Sequence, residues 1–351
     1  MLPDRHGGKR VAAAAGRGGR PVQPAVAALG ETEPMRAIQI SEFGGPEVLT
    51  LTEVPDPEPG PGQLLIEVSH AGVNYADTHQ SENTYLASSE LPMVPGGEVV
   101  GRTADGRRVV ALVSGGYAQK AVAPPSRAFD VPDGVDDATA LALVIQGTTA
   151  WLLLHRSVHL NPGESVVVHA AAGGVGSLAV QLAKIAGAGR VIATASSEDK
   201  RRLALDLGAD VAVDPAAPDL RGALREANNG QRVDVVLEMT GGRVTDESLA
   251  ALAPFGRLAY YGMASRRPPK PISFGSLLSH SATVAGMWLP HAFGLPGDVV
   301  SGAMARLFSL VREGRLRVVA GGEYGLSEAR QAHEALLARR TSGKLMLDPA
   351  R

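Results

Sequence analysis

The chain contains no cysteine. That excludes disulfides, thiolate nucleophiles and thiolate metal sites, and it agrees with a reducing cytoplasmic location. Charge of one sign is also lacking. With a net charge of −2 over 351 residues, neither nucleic acid nor an anionic membrane surface is an expected partner. Long apolar runs are few. The longest, Ala138–Leu154, is broken by Gln146, Gly147, Thr148 and Thr149, which reads as too interrupted for a membrane span of about 20 residues. Residues 1–34 lack hydrophobic periodicity and are rich in Ala, Gly, Arg and Pro. They read as a disordered extension, either a targeting arm or a translated upstream region.

The length suggests about two domains. From Met35 to about Val122 the pattern is β-rich, with strands expected at Met35–Ile40, Gln63–Ser69, Arg108–Leu112 and Ala118–Val122. Helices are expected from about Asp136. Strand and helix then alternate through Ser165–Ala170, Gly176–Ala188, Arg190–Ala195, Glu198–Leu207, Val211–Val213, Val233–Glu238, Leu258–Tyr261 and Thr283–Trp288. That rhythm predicts a parallel sheet with crossover helices. Two helices, near Asp298–Glu313 and Ser327–Arg340, and a strand Lys344–Leu347 close the pattern.

Within it, the β-branched strand beginning at Ser165 runs into Ala171-Ala172-Gly173-Gly174-Val175-Gly176 and an amphipathic helix. Strand, glycine turn and helix in that order predict a dinucleotide cradle: the glycines admit a pyrophosphate and the helix N-terminus offers it free N–H groups. Gly173, Gly174, Val175 and Gly176 are therefore candidate cofactor contacts. The next strand ends in Ser196-Ser197, where an NAD site would carry Asp or Glu, and Lys200, Arg201 and Arg202 follow. Hydroxyls and cations suit a 2′-phosphate, so the cofactor expected is NADPH, held through Ser196, Ser197 and Lys200. Ser197 also reads as a helix cap, and the cations as solvated.

Several motifs in order resemble the medium-chain dehydrogenase/reductase superfamily, and within it the zinc-free quinone oxidoreductase branch of the zeta-crystallin type. They are Ala71–Asp77, Pro95–Gly101, Val113–Ala118, the glycine turn and Gly343-Lys344-Leu345. The resemblance implies an α/β fold: a GroES-like β-rich catalytic domain over 35–147, a Rossmann doubly wound parallel sheet over 148–288, and a return to the catalytic domain over 289–351. It places Asn74 beside the nicotinamide, where zinc alcohol dehydrogenases carry Cys, and Gly97 where they carry a ligand His. Catalytic zinc needs about three protein ligands, so no metal is expected.

By the same resemblance Tyr85 lines the active site, and His79 stands where the zinc enzymes have a relay His. A solvated helix-face His and an ordinary loop Tyr fit those positions too. Thr149 and Gly262-Met263 match positions that contact the nicotinamide side. The implied activity is NADPH-dependent hydride transfer to a quinone or α,β-unsaturated carbonyl, with proton delivery by Tyr85, His79 or water. An enoyl-thioester reductase and a non-catalytic NADPH-binding protein are the alternatives. The family pairs its last Rossmann strand across a two-fold axis, which implies a homodimer through Thr283–Trp288.

Overall fold

The computed structural model describes residues 34–84 and 86–351. The readings of residues 1–33 and of Tyr85 lie outside the described residues.

Six parallel strands form one sheet: β8 (Ser165–Val168), β9 (Arg190–Thr194), β10 (Val211–Val213), β11 (Val233–Glu238), β12 (Leu252–Tyr260) and β13 (Thr283–Gly286). Their spatial order is β10-β9-β8-β11-β12-β13. The order reverses between β8 and β11, so the crevice beyond the carboxyl ends of these two strands is where such sheets take ligands. The central strands β8, β9 and β11 are largely buried on both faces, which is why they read as continuous apolar runs.

Another sheet has seven strands on the path β14-β15-β3-β4-β5-β7, with β6 paired to β3. These are β3 (Leu64–Val73), β4 (Glu98–Thr103), β5 (Arg108–Leu112), β6 (Lys120–Ala123), β7 (Ala128–Asp130), β14 (Ala320–Gly325) and β15 (Lys344–Asp348). A short pair, β1 (Met35–Gln39) with β2 (Thr50–Val54), stands apart. β15 lies parallel to β14 and antiparallel to β3. The seven-stranded sheet is therefore assembled from opposite ends of the described chain, with the six-stranded sheet between them in sequence.

Some boundaries differ from expectation for visible reasons. The helix expected over Gly176–Ala188 spans Gly174–Ile185, because extended Gly173 sets its start and Gly187, at φ +87°, stops it. β12 begins at Leu252 rather than Leu258, and β13 ends at Gly286. Helix is present well before Asp136, at Tyr75–Ser81.

The apolar stretch around Gln146 is not interrupted. Asp137–Ser157 is one helical segment of 21 residues, long and apolar enough to cross a membrane by length and composition. Within the fold 72% of its apolar window is buried. Leu143, Leu153 and Leu154 pack there against Leu178 and Leu307, making it a core helix of the sheet assembly. The polar residues do not break it. Thr148 Oγ1 bonds back to the Val144 carbonyl at 2.5 Å, and the helix takes a π turn over Leu143–Gly147.

Candidate active site

Strand β3 delivers Asn74 to the start of the helix Tyr75–Ser81. The Asn74 backbone N–H donates to Asp77 Oδ2 at 2.8 Å, which fixes the turn. Its side chain is 7% exposed and meets other side chains on both its oxygen and its nitrogen. Asn74 Nδ2 donates to Glu98 Oε1 at 2.7 Å, and Oδ1 accepts from Gln146 Nε2 at 3.2 Å and from Lys344 Nζ at 3.4 Å. Glu98 and Lys344 form an ion pair whose side chains are both 0% exposed. One carboxylate oxygen, Glu98 Oε2, and one amide oxygen, Gln146 Oε1, are buried with no hydrogen-bond partner.

The helix after Asn74 buries polar residues: Asp77, Thr78, His79 and Ser81. Tyr117 OH donates to Asp77 Oδ2 at 2.8 Å and lies 3.0 Å from His333 Nε2. Burial lifts the Asp77 carboxyl to about 6 and lowers the His333 imidazole to about 4. His79 is only 8% exposed, so the expectation of a solvated helix-face histidine is corrected. Its Nδ1 lies 2.9 Å from Thr84 Oγ1. Burial, with Arg266 as a second cause, lowers its pKa, which keeps it neutral at pH 7.

The same helix reaches the loop after β12. Tyr75 OH donates to the Ala264 carbonyl at 2.7 Å. Arg266 pairs with Glu82, donates to Thr78 Oγ1 at 3.0 Å and sits 5.9 Å over the Tyr75 ring. Gly262-Met263 directly precede Ala264 in that loop.

At the crevice, Gly173–Gly176 turns from β8 into its helix. A Cβ on Gly174 would overlap the Gln146 amide, and one on Gly176 would run into the backbone of Ala170 and Ala171. The turn is tied to the other sheet: Gly173 bridges Gly343, and the Gly343 N–H donates to the Ala172 carbonyl at 2.9 Å. Lys344 follows directly, so a single stretch of chain braces the glycine turn and supplies the ammonium beside Asn74. Thr149 is 7% exposed, in the turn after Gln146.

Beyond β9, Ser196 and Ser197 are exposed. Ser197 caps the helix Glu198–Asp206, accepting from the Lys200 N–H at 3.4 Å. Lys200 is not simply solvated. Its ammonium donates to the Arg339 carbonyl at 2.7 Å, and burial together with Arg339 lowers its pKa.

The structure thus brings Asn74 to the glycine turn through Gln146 and ties the helix after Asn74 to Ala264 and Arg266, just beyond Gly262-Met263. Ser196, Ser197 and Lys200 form a group of their own at the end of β9. Glu98, Gln146 and Lys344 are the side chains that sequence reasoning missed. Gln146 stood out only as a polar break in an apolar run, and Glu98 and Lys344 only as members of the motifs Pro95–Gly101 and Gly343-Lys344-Leu345. Chemically, the turn can seat a pyrophosphate, and the Asn74 cluster can present fixed amide dipoles in a region largely closed to water.

Residues 60–133 match the alcohol dehydrogenase GroES-like domain and residues 174–309 the zinc-binding dehydrogenase family. A probable quinone oxidoreductase of Schizosaccharomyces pombe is 34% identical, covering 88% of this chain and 96% of its own. A 2-haloacrylate reductase of Burkholderia is 32% identical, covering 89% of this chain and 98% of its own. A mycobacterial protein solved in complex with NADPH superposes with a TM-score of 0.85 at 37% identity, covering 90% of this chain and 100% of that one. The chain belongs to the quinone oxidoreductase branch of the medium-chain dehydrogenase/reductase superfamily.

Proposed function

We propose that the protein is an NADPH-dependent, zinc-independent reductase of quinones or activated alkenes. The observation that carries the reading is the Asn74 cluster joined through Gln146 to a glycine turn that would be filled by a single Cβ. The turn residues Gly173–Gly176 would hold the pyrophosphate, Ser196, Ser197 and Lys200 the 2′-phosphate, and Thr149 and Gly262-Met263 the nicotinamide side. Bound NADPH would supply the hydride. Asn74 would orient the reacting groups, and Tyr85, His79 or water would deliver the proton. His79, held by Thr84 and kept neutral by burial, would pass a proton only as a relay between neighbouring groups. The catalytic portion would comprise 35–147 and 289–351, around a cofactor portion over 148–288.

An acceptor panel tests this reading. NADPH oxidation should depend on an added quinone or 2-alkenal and should exceed that with enoyl thioesters. A protein that binds NADPH yet turns over no acceptor would favour the non-catalytic alternative. Lys200→Glu should raise the NADPH KM far more than the NADH KM, because it sets a negative charge against the 2′-phosphate. Equal effects on the two cofactors would sink the Lys200 assignment.

Zinc independence rests on the residues in the ligand slots, Asn74 and Gly97, and on the absence of cysteine. Exhaustive EDTA treatment should leave turnover unchanged. Loss of turnover that zinc alone restores would overturn this assignment.

We propose further that the protein is a cytoplasmic homodimer pairing along β13. That strand ends the six-stranded sheet. Close to it in the chain, the helix Phe274–His280 exposes Phe274 by 92% and Leu278 by 82%. Phe255, 79% exposed, joins this face through its N–H to the Ser281 carbonyl at 2.8 Å. An edge strand beside large exposed apolar side chains is a surface that pairing would cover. Light scattering should give a dimer mass at micromolar concentration, and Ala285→Pro should shift it toward monomer. A monomer mass for the unmodified chain would refute the pairing.

A further inference from the structure

Gln146 occupies an unusual place. It lies in the π turn Leu143–Gly147, a distortion that inserts a residue into the helical ladder and often marks function. The side chain is 7% exposed. Its Nε2 is committed to Asn74 Oδ1 at 3.2 Å, and its amide lies against the backbone of Gly174. Oε1 is buried without a partner. An unsatisfied buried amide oxygen costs on the order of 1–3 kcal/mol, so it should persist only where something supplies the missing donor.

We propose that Gln146 is a positioning and cofactor-recognising residue. Its Oε1 accepts an N–H or O–H from the nicotinamide half of the dinucleotide while its Nε2 holds Asn74. This rests on the NADPH reading above. The donor must come from the nicotinamide half, because Gln146 touches Gly174 and Asn74, whereas the Ser197 and Lys200 group assigned to the adenosine half stands beyond the end of β9. One amide would then satisfy its last acceptor only when the dinucleotide is seated, and in that state it fixes the orientation of Asn74.

The experiment uses the full chain and two probes. NADPH carries both halves of the cofactor, and adenosine 2′,5′-bisphosphate carries only the adenosine half. Gln146→Met keeps the length of the side chain but removes both the acceptor and the donor. Affinity for NADPH, read by its nicotinamide fluorescence, should fall about tenfold, as expected for one lost hydrogen bond. Affinity for the bisphosphate should stay within about twofold on the same scale, and kcat should fall as Asn74 Oδ1 keeps only Lys344 as a donor. Gln146→Asn, one methylene shorter, should show the same selective loss and serves if the Met variant fails to fold.

Equal losses for both probes would show a merely structural residue and overturn the proposal, as would no loss for either. An unmodified chain that binds the bisphosphate normally while both variants keep full NADPH affinity overturns this proposal alone. An unmodified chain that binds neither probe overturns the NADPH reading, and this proposal with it.

Discussion

Lys344→Ala is expected to destabilise the protein by about 3–5 kcal/mol, because it leaves the Glu98 carboxylate buried without its countercharge. Both side chains of the pair are 0% exposed. Glu98 Oε1 would keep only the Asn74 amide, and Oε2 already has no partner. For a unit of roughly 320 residues the loss corresponds to a fall in melting temperature of roughly 4–8 °C. The double change Glu98→Gln with Lys344→Met should recover much of it, since replacing both members of a buried pair costs far less than removing one. Differential scanning calorimetry of the three variants checks this. A Lys344→Ala protein melting within about 2 °C of the unmodified chain would show that the pair contributes little to stability.

Gly174→Val should abolish dinucleotide binding and also push the buried Gln146 side chain from its place. The branched side chain would occupy the space of the Gln146 amide and narrow the path to the turn. A loss of at least about a hundredfold, or roughly 2.8 kcal/mol, is expected for NADPH and NADH alike, since the pyrophosphate is common to both. Isothermal titration with each cofactor, alongside a melting curve, separates this from unfolding. Binding within threefold of the unmodified chain would remove Gly174 from the cradle. Gly176 is the poorer position for such a test. Its Cβ would strike the backbone of Ala170 and Ala171, so a substitution there deforms the turn before any ligand arrives.

The parallel sheet was legible because β8, β9 and β11 are buried on both faces and read as apolar runs bounded by turns. Asn74 was legible through its motif. The helix around His79 was not, since its inner face is built from Asp77, Thr78, His79 and Ser81, the reverse of the pattern that hydrophobic periodicity detects. β14, Ala-Gly-Gly-Glu-Tyr-Gly, has the composition of a loop and becomes a strand only by pairing with β15. The Glu98–Lys344 pair joins residues 246 positions apart, and nothing local in either segment announces the other. Gln146 looked like an interruption of an apolar helix. It is the residue around which that helix loosens into a π turn.

The position of β15 between β14 and β3 bears on how the chain is made. An interior strand of the seven-stranded sheet is synthesised long after its neighbour: Lys344 emerges 271 residues behind Val73. At about 5–20 residues per second that is a wait of about 15–55 s. Through it β3 exposes an unpaired edge next to the buried positions of Val73 and Asn74. The six-stranded sheet is complete by Gly286, so it can fold first and stand as a finished neighbour when the last strand arrives. Chaperone dependence during synthesis should therefore fall on the sheet that carries Asn74 and not on the one that carries the glycine turn.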